Sequence, residues 1–136
     1  MIFVDSNVLI DLFDRKDPAW SAWSQRMIEE LPPPLVINPI VVAETARRFA
    51  ALDGLLRFLA EIGIEILPVP NEAAFIAGHA HAAYRRNGGQ REAILADFLI
   101  AGHATMLGAS LLTRDRGRFS TYFPDLALIT PETENG

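Results

Sequence analysis

Apolar residues along this chain fall into short runs separated by longer stretches with a helical period. Ile2-Phe3-Val4, Leu35-Val36-Ile37, Glu65-Ile66-Leu67, Ser110-Leu111-Leu112-Thr113 and Leu126-Ala127-Leu128-Ile129 have strand length and are mostly apolar, which predicts five buried strands. Helix signals fill the intervals. Ser6-Asn7 offers a cap before Val8-Leu9-Ile10, and Asp17-Pro18 opens a second helix by the cap-then-proline rule. The stripe Trp20, Trp23, Met27 and Leu31 follows helical spacing and predicts core or a dimer surface. Pro32-Pro33-Pro34 is a hard stop. Asn38-Pro39 caps a helix carrying Glu44, Asp53 starts another that ends near Gly63, and Asn71 begins one running to about Tyr84 and broken at Asn87-Gly88-Gly89. A last helix, from about Ala93, runs to Gly108. Short strands alternating with helices predict an α/β fold, a three-layer α/β/α sandwich with a mostly parallel five-stranded sheet. Without repeats or linkers, residues 1–130 read as one domain and 131–136 as a flexible C-terminal tail.

One position breaks the pattern. In Ala93-Ile94-Leu95-Ala96-Asp97-Phe98-Leu99-Ile100-Ala101, the residues sharing a helical face with Asp97 are Ala93, Ile94, Ile100 and Ala101. A carboxylate therefore stands in the middle of the stripe that should turn inward, with no Lys or Arg at helical spacing to neutralise it. Burying an unpaired charge costs several kcal/mol or more, so such a group is paired, protonated or metal-bound. Backbone amides, an Arg from another element, or a cation must meet it.

Composition narrows the options. The chain has 136 residues, half of them hydrophobic, yet no apolar run approaches the length of a membrane span. No basic region precedes Met1-Ile2-Phe3-Val4, so the expectation is a fold that starts there, without a signal peptide. The absence of Cys excludes disulfides and thiolate metal sites and suits a reducing cytoplasm. The net charge of −5 argues against indiscriminate nucleic-acid binding. The bases, however, are eleven Arg and the single Lys16, clustered at Arg47-Arg48, at Arg85-Arg86 with Arg91, and at Arg114, Arg116 and Arg118. Such clusters serve either as solvated faces or as bidentate phosphate contacts.

In open α/β sheets, ligands sit outside the carboxyl ends of the strands. Asp5 follows the first strand and Asp115 the fourth, while Glu44 and Asp97 lie early in helices. Four acids from distant parts of the chain can thus reach one rim. Asp5 and Asp115 equally suit caps at strand-to-helix turns, and Glu44 has Arg47 and Arg48 at helical spacing for a surface ion pair. Each Arg cluster adjoins one of the four acids in sequence, as expected of residues guiding phosphates toward them. His79, His81 and His103 read as structural.

Phe3-Val4-Asp5-Ser6-Asn7-Val8-Leu9, Val42-Ala43-Glu44, Ala96-Asp97-Phe98-Leu99-Ile100-Ala101 and Leu112-Thr113-Arg114-Asp115-Arg116-Gly117-Arg118-Phe119 resemble, in order, the four acidic signatures of the PIN domain. The resemblance spans nearly the whole chain, and within the family the size resembles the VapC-type toxins of toxin–antitoxin pairs. It implies a PIN-like fold and a Mg²⁺- or Mn²⁺-dependent endoribonuclease. Asp5, Glu44, Asp97 and Asp115 would be the catalytic, metal-holding acids, and Ser6, Asn7 and Thr113 fall where the family places polar helpers. On this reading Arg85, Arg86, Arg114, Arg116 and Arg118 would contact the RNA. It also implies in-line hydrolysis leaving a 5′-phosphate and a 3′-hydroxyl, a cognate antitoxin lying over the early helices, and a homodimer. All-oxygen donors favour Mg²⁺ or Mn²⁺ over zinc.

Two other classes of function compete. Phosphotransfer receivers and aspartyl phosphatases want a late Lys, and the phosphatase pattern wants an acid two places after the first. Here the only Lys is Lys16 and position 7 is Asn. A non-catalytic PIN-like module that binds RNA or a partner is the alternative, against which the full acid set counts.

Overall fold

The strands form at the short apolar runs, two of which also carry a polar residue, Glu65 and Ser110. The structure, a computed structural model, describes residues 1–115, 117 and 119–131. Strands β1 (Ile2–Val4), β2 (Leu35–Ile37), β3 (Ile64–Ile66), β4 (Ser110–Leu112) and β5 (Leu128–Ile129) make one sheet in the order β3-β2-β1-β4-β5. All four pairings are parallel, with Ile2 opposite both Leu35 and Ser110. The sheet is thus wholly parallel, and β3 and β5 are respectively one residue earlier and two residues shorter than the apolar runs suggest. The middle strands are buried on both faces: Phe3, Val4, Ile37, Leu111 and Leu112 are fully inaccessible. This is the signature of a sheet covered by helices on each side.

Six helices supply that cover: α1 (Ser6–Asp14), α2 (Pro18–Glu30), α3 (Pro39–Thr45), α4 (Leu52–Glu61), α5 (Asn71–Arg86) and α6 (Ile94–Leu107). Asp17 and Asn38 cap α2 and α3 as their Pro-preceding positions predict, each side chain accepting two backbone N–H groups of the first turn. Helix α1 differs from expectation. Its cap is Asp5, whose extended backbone and short carboxylate let it accept the Ser6 N–H, so Ser6 and Asn7 fall inside the helix. Helix α4 begins after Ala51 without a side-chain cap, leaving Asp53 in its first turn.

Of the Trp20 stripe on α2, Trp23 and Met27 enter the core, while Trp20 and Leu31 lie at its margin. Helix α6 is the most buried, with Ile94, Phe98, Ile100, Ala101 and Ala104 inaccessible or nearly so. It crosses α5 closely because Gly102 meets Ala73 and Ala77: a Cβ there would lie 3.1 Å from the Ala73 carbonyl oxygen. Gly108, at φ 66°, ends α6 in the left-handed conformation that favours glycine.

Strand order reverses between β1 and β4. The chain runs outward from β1 through β2 to β3, then crosses back to β4 and β5. The crevice at the carboxyl ends of β1 and β4 is the topological switch point, where such sheets bind ligands. Asp5 and Thr113 lie immediately beyond those two ends.

Candidate active site

Asp5 is the centre of the crevice. Its backbone N–H donates to the Leu112 carbonyl at 2.9 Å, locking the end of β1 to β4. Both carboxylate oxygens have donors: the Ser6 N–H at 2.7 Å to Oδ1, and the Thr113 hydroxyl at 2.8 Å to Oδ2. The side chain is only 1% exposed. Burial pushes its pKa from the ordinary 3.8 up to about 6; the Thr113 and Ser6 hydrogen bonds oppose the rise, and the charges of Asp97 and Glu44 add to it. Asp5, Asp97 and Glu44 therefore share one electrostatic neighbourhood, although they come from β1, α6 and α3.

Asp97 sits where the periodicity demands, buried in the first turn of α6 beside Ile94, Ile100 and Ala101. Glu44 lies on α3, partly buried. Of the two Arg residues at helical spacing from Glu44, Arg48 bonds Asp14 through its Nε at 2.9 Å and ties the turn after α3 to the end of α1.

Thr113 joins the remaining polar residues. Its hydroxyl oxygen accepts from Asn7 Nδ2 at 3.3 Å and from the Asp115 N–H at 3.1 Å. A hydroxyl has one proton and two lone pairs. With both lone pairs engaged, its proton is committed to Asp5. Asn7 Oδ1 in turn accepts the Arg114 N–H at 3.4 Å, so Asn7 bridges α1 to the segment after β4. Asp115 thus joins the cluster through its backbone, with its side chain half-buried.

The Arg residues separate. Arg85 and Arg86 are exposed at the end of α5. Arg114 is held within the protein: its Nε lies 3.1 Å from Asp11 Oδ2 and its guanidinium stands over the Trp20 ring at 5.4 Å. Arg116 and Arg118, like residues 132–136 of the tail, lie outside the described residues. Asp11 and Trp20 were not among the site residues expected from sequence. The available signal was the spacing of Asn7 and Asp11, one turn apart on the rim-facing side of α1. Burial raises the Asp11 pKa, and the charge of Arg114 lowers it.

The donor chemistry suits a hard divalent cation: carboxylates and a hydroxyl, all oxygen. A buried carboxylate whose ionised form is opposed by two neighbouring acids is also a group that a cation relieves. Among the described residues no group of three or more His, Asp or Glu side chains lies close enough to hold an ion. The acids act on one another through their fields without forming a closed ligand set.

The family model of the PIN domain matches residues 2–122. No curated protein sequence matches the chain. Among solved structures, a chain of VapBC-1 from nontypeable Haemophilus influenzae is 21% identical over 96% of this chain and 98% of that one, with a TM-score of 0.69. A chain of VapBC2 from Rickettsia felis, bound to a DNA fragment from their promoter, is 20% identical over 96% and 98%, TM-score 0.68. VapC20 of Mycobacterium tuberculosis, a toxin that cleaves the sarcin–ricin loop, is 16% identical over 87% and 92%, TM-score 0.64. At such identities the likeness establishes the fold, and the motif order, the wholly parallel sheet and the family match agree. The chain belongs to the PIN domain family.

Proposed function

We propose that this protein is a divalent-metal-dependent endoribonuclease, the toxin of a bacterial toxin–antitoxin pair, working in the cytoplasm. The observation that carries the reading is Asp5, buried at the switch point with its pKa pushed up to about 6 by burial and by the fields of Asp97 and Glu44. Structural carboxylates are ordinarily stabilised by their surroundings, whereas this one is strained by them. Asp5, Glu44 and Asp97, which share one field but do not form a closed ligand set without the ion, would hold Mg²⁺ or Mn²⁺ by drawing together around it, and Asp115 would hold a second ion or orient the attacking water. A bound divalent ion would polarise the scissile phosphodiester and stabilise the leaving oxygen. Thr113 and Ser6 orient Asp5, and Asn7 steadies Thr113. Arg85 and Arg86 are free to meet RNA phosphates, whereas Arg114 would have to leave Asp11 and Trp20 to do so.

The partner proposed is an antitoxin. Its support is an apolar surface on the early helices, where Phe13, Leu52 and Leu56 are exposed. Beside them a cleft of about 210 Å³ is lined by Leu12, Ile28, Phe58 and Ile62 with Arg15, Gln25 and Glu29 at its edge. An amphipathic segment covers such a surface by its apolar face. Homodimerisation belongs to the same proposal. Among the described residues no helix is long and apolar enough to cross a membrane.

The test is incubation with structured RNAs in Mg²⁺ and then in EDTA. Cleavage that stops with EDTA and with Asp97→Asn is the expected result. Cleavage indifferent to EDTA overturns the metal reading, and failure to cut any RNA leaves a PIN-like binding module instead.

A further inference from the structure

His103 lies six residues after Asp97 on α6 and is 1% exposed. Its surroundings connect it to the elements that lead to Asp5, Glu44 and Asp97. Asn38, the cap of α3, places its Nδ2 3.2 Å from His103 Nδ1. Phe3 of β1, two residues before Asp5, meets the imidazole edge-on at a centroid distance of 5.2 Å. The imidazole thus touches β1, which leads to Asp5, and the cap of the helix that carries Glu44, while itself riding the helix that carries Asp97.

The polarity of the contact is determined by the cap. Asn38 Oδ1 accepts the Ile40 and Val41 N–H groups at 3.0 and 3.3 Å, so its NH₂ must face His103. Nδ1 is therefore the acceptor and the neutral ring carries its proton on Nε2. Burial, which lowers the pKa of His103, favours the same neutral form. An apolar side chain of similar size would fill the volume but leave the Asn38 amide with only its long 3.5 Å bond to the Leu99 carbonyl of α6, and one of its two N–H groups unpaired. Apolar packing tolerates small slides of one helix along another, whereas a directional bond between buried groups is satisfied in one placement only.

We propose that His103 is a positioning residue: through the Asn38 amide and the Phe3 ring it sets how far apart α6, α3 and the end of β1 hold their carboxylates, and so the affinity of the site for a divalent cation. The proposal rests on the metal-dependent reading above.

The probe is Mn²⁺ alone, titrated calorimetrically into the metal-free full-length chain, with melting measured in EDTA alongside. His103→Leu should weaken Mn²⁺ binding about tenfold, the scale typical of residues that orient metal ligands. His103→Asn, whose amide oxygen can stand near the Nδ1 position and accept from Asn38, should recover most of that loss. Asn38→Ser keeps a good cap but removes the amide that meets both His103 and the Leu99 carbonyl, so it should weaken Mn²⁺ binding at least as much as His103→Leu, with the double variant losing no more than Asn38→Ser alone. If His103→Leu does not fold, Asn38→Ser decides. Lower melting temperatures with unchanged Mn²⁺ affinity, or no recovery in His103→Asn, overturn the proposal. A wild-type chain that takes up no Mn²⁺ overturns the metal reading itself and the proposal with it.

Discussion

Replacing Asp5 by Asn should make the metal-free protein more stable at neutral pH, by an amount that grows with pH in a calculable way. The Asp5 carboxyl titrates at about 6 in the fold against 3.8 ordinarily. The folded state therefore binds the proton more tightly than the unfolded one. Below 3.8 both states are protonated and the group contributes nothing. Between 3.8 and 6 the unfolded chain ionises first, and above 6 a full penalty of about 3 kcal/mol opposes folding. Because the side chain is almost wholly inaccessible, solvent screening does little to reduce this figure. Asn cannot ionise, so its stability lacks that slope. Asn also fits imperfectly: its NH₂ would face a Thr113 oxygen whose lone pairs are taken by Asn7 and Asp115. That mismatch is the same at every pH and cancels in a difference. Integrating the linkage relation between about pH 4.5 and about pH 7.5 gives a widening of about 2 kcal/mol in favour of the variant. Urea unfolding in EDTA at those two pH values measures it directly. A gap between variant and wild type that stays constant across the range would refute the electrostatic picture of the site.

Other expectations follow from the same geometry. Thr113→Val removes a hydrogen bond that lowers the Asp5 pKa, so the Asp5 carboxyl should titrate higher still, by about 1–2 pH units for a bond worth about 1.5–3 kcal/mol; ¹³C NMR of the metal-free protein reads it, and an unchanged titration would deny Thr113 its orienting role. Mg²⁺ at about ten times its dissociation constant should stabilise the wild type by about 1.4 kcal/mol and Asp97→Asn hardly at all, as melting curves with and without the ion would show; a large loss of metal-free stability in Asp97→Asn would instead mark Asp97 as a structural pairing residue. On the nuclease reading, Arg85→Ala with Arg86→Ala should raise KM for RNA and flatten its salt dependence while leaving the stability to urea unfolding within about 0.5 kcal/mol; unchanged kinetics would remove both from the RNA path. Gly108→Ala should cost about 1 kcal/mol by urea unfolding, because its φ of 66° disfavours a Cβ.

The fold was legible because its signals are local. Five apolar runs, two cap-then-proline pairs and Gly108 each act within a few residues, and the structure keeps all of them within a residue or two. Asp97 was legible for a related reason: a charge inside a helical stripe is conspicuous without knowledge of what faces it. The edges of the sheet were less so. The run at residues 126–129 yields only Leu128–Ile129 as strand, since an edge strand extends no further than its single neighbour pairs with it.

The polar connections of the site depend on contacts that no local pattern encodes. Thr113 and Asp5 are 108 residues apart and meet because β1 and β4 pair in parallel at the reversal of strand order. The Arg residues show the same dependence. A guanidinium has five donors and serves whichever carboxylate the fold brings nearest. Arg48 stands four residues after Glu44, yet it bonds Asp14, and Arg114, adjacent to an acid of the site, is engaged by Asp11 and Trp20. Proximity in sequence to an acidic pocket is therefore weak evidence that an Arg serves the substrate. Arg85 and Arg86, exposed at the end of α5, are the described Arg pair most available to phosphate. On the nuclease reading, Arg114 would reach RNA only by giving up contacts that now help to keep the Asp11 carboxylate charged.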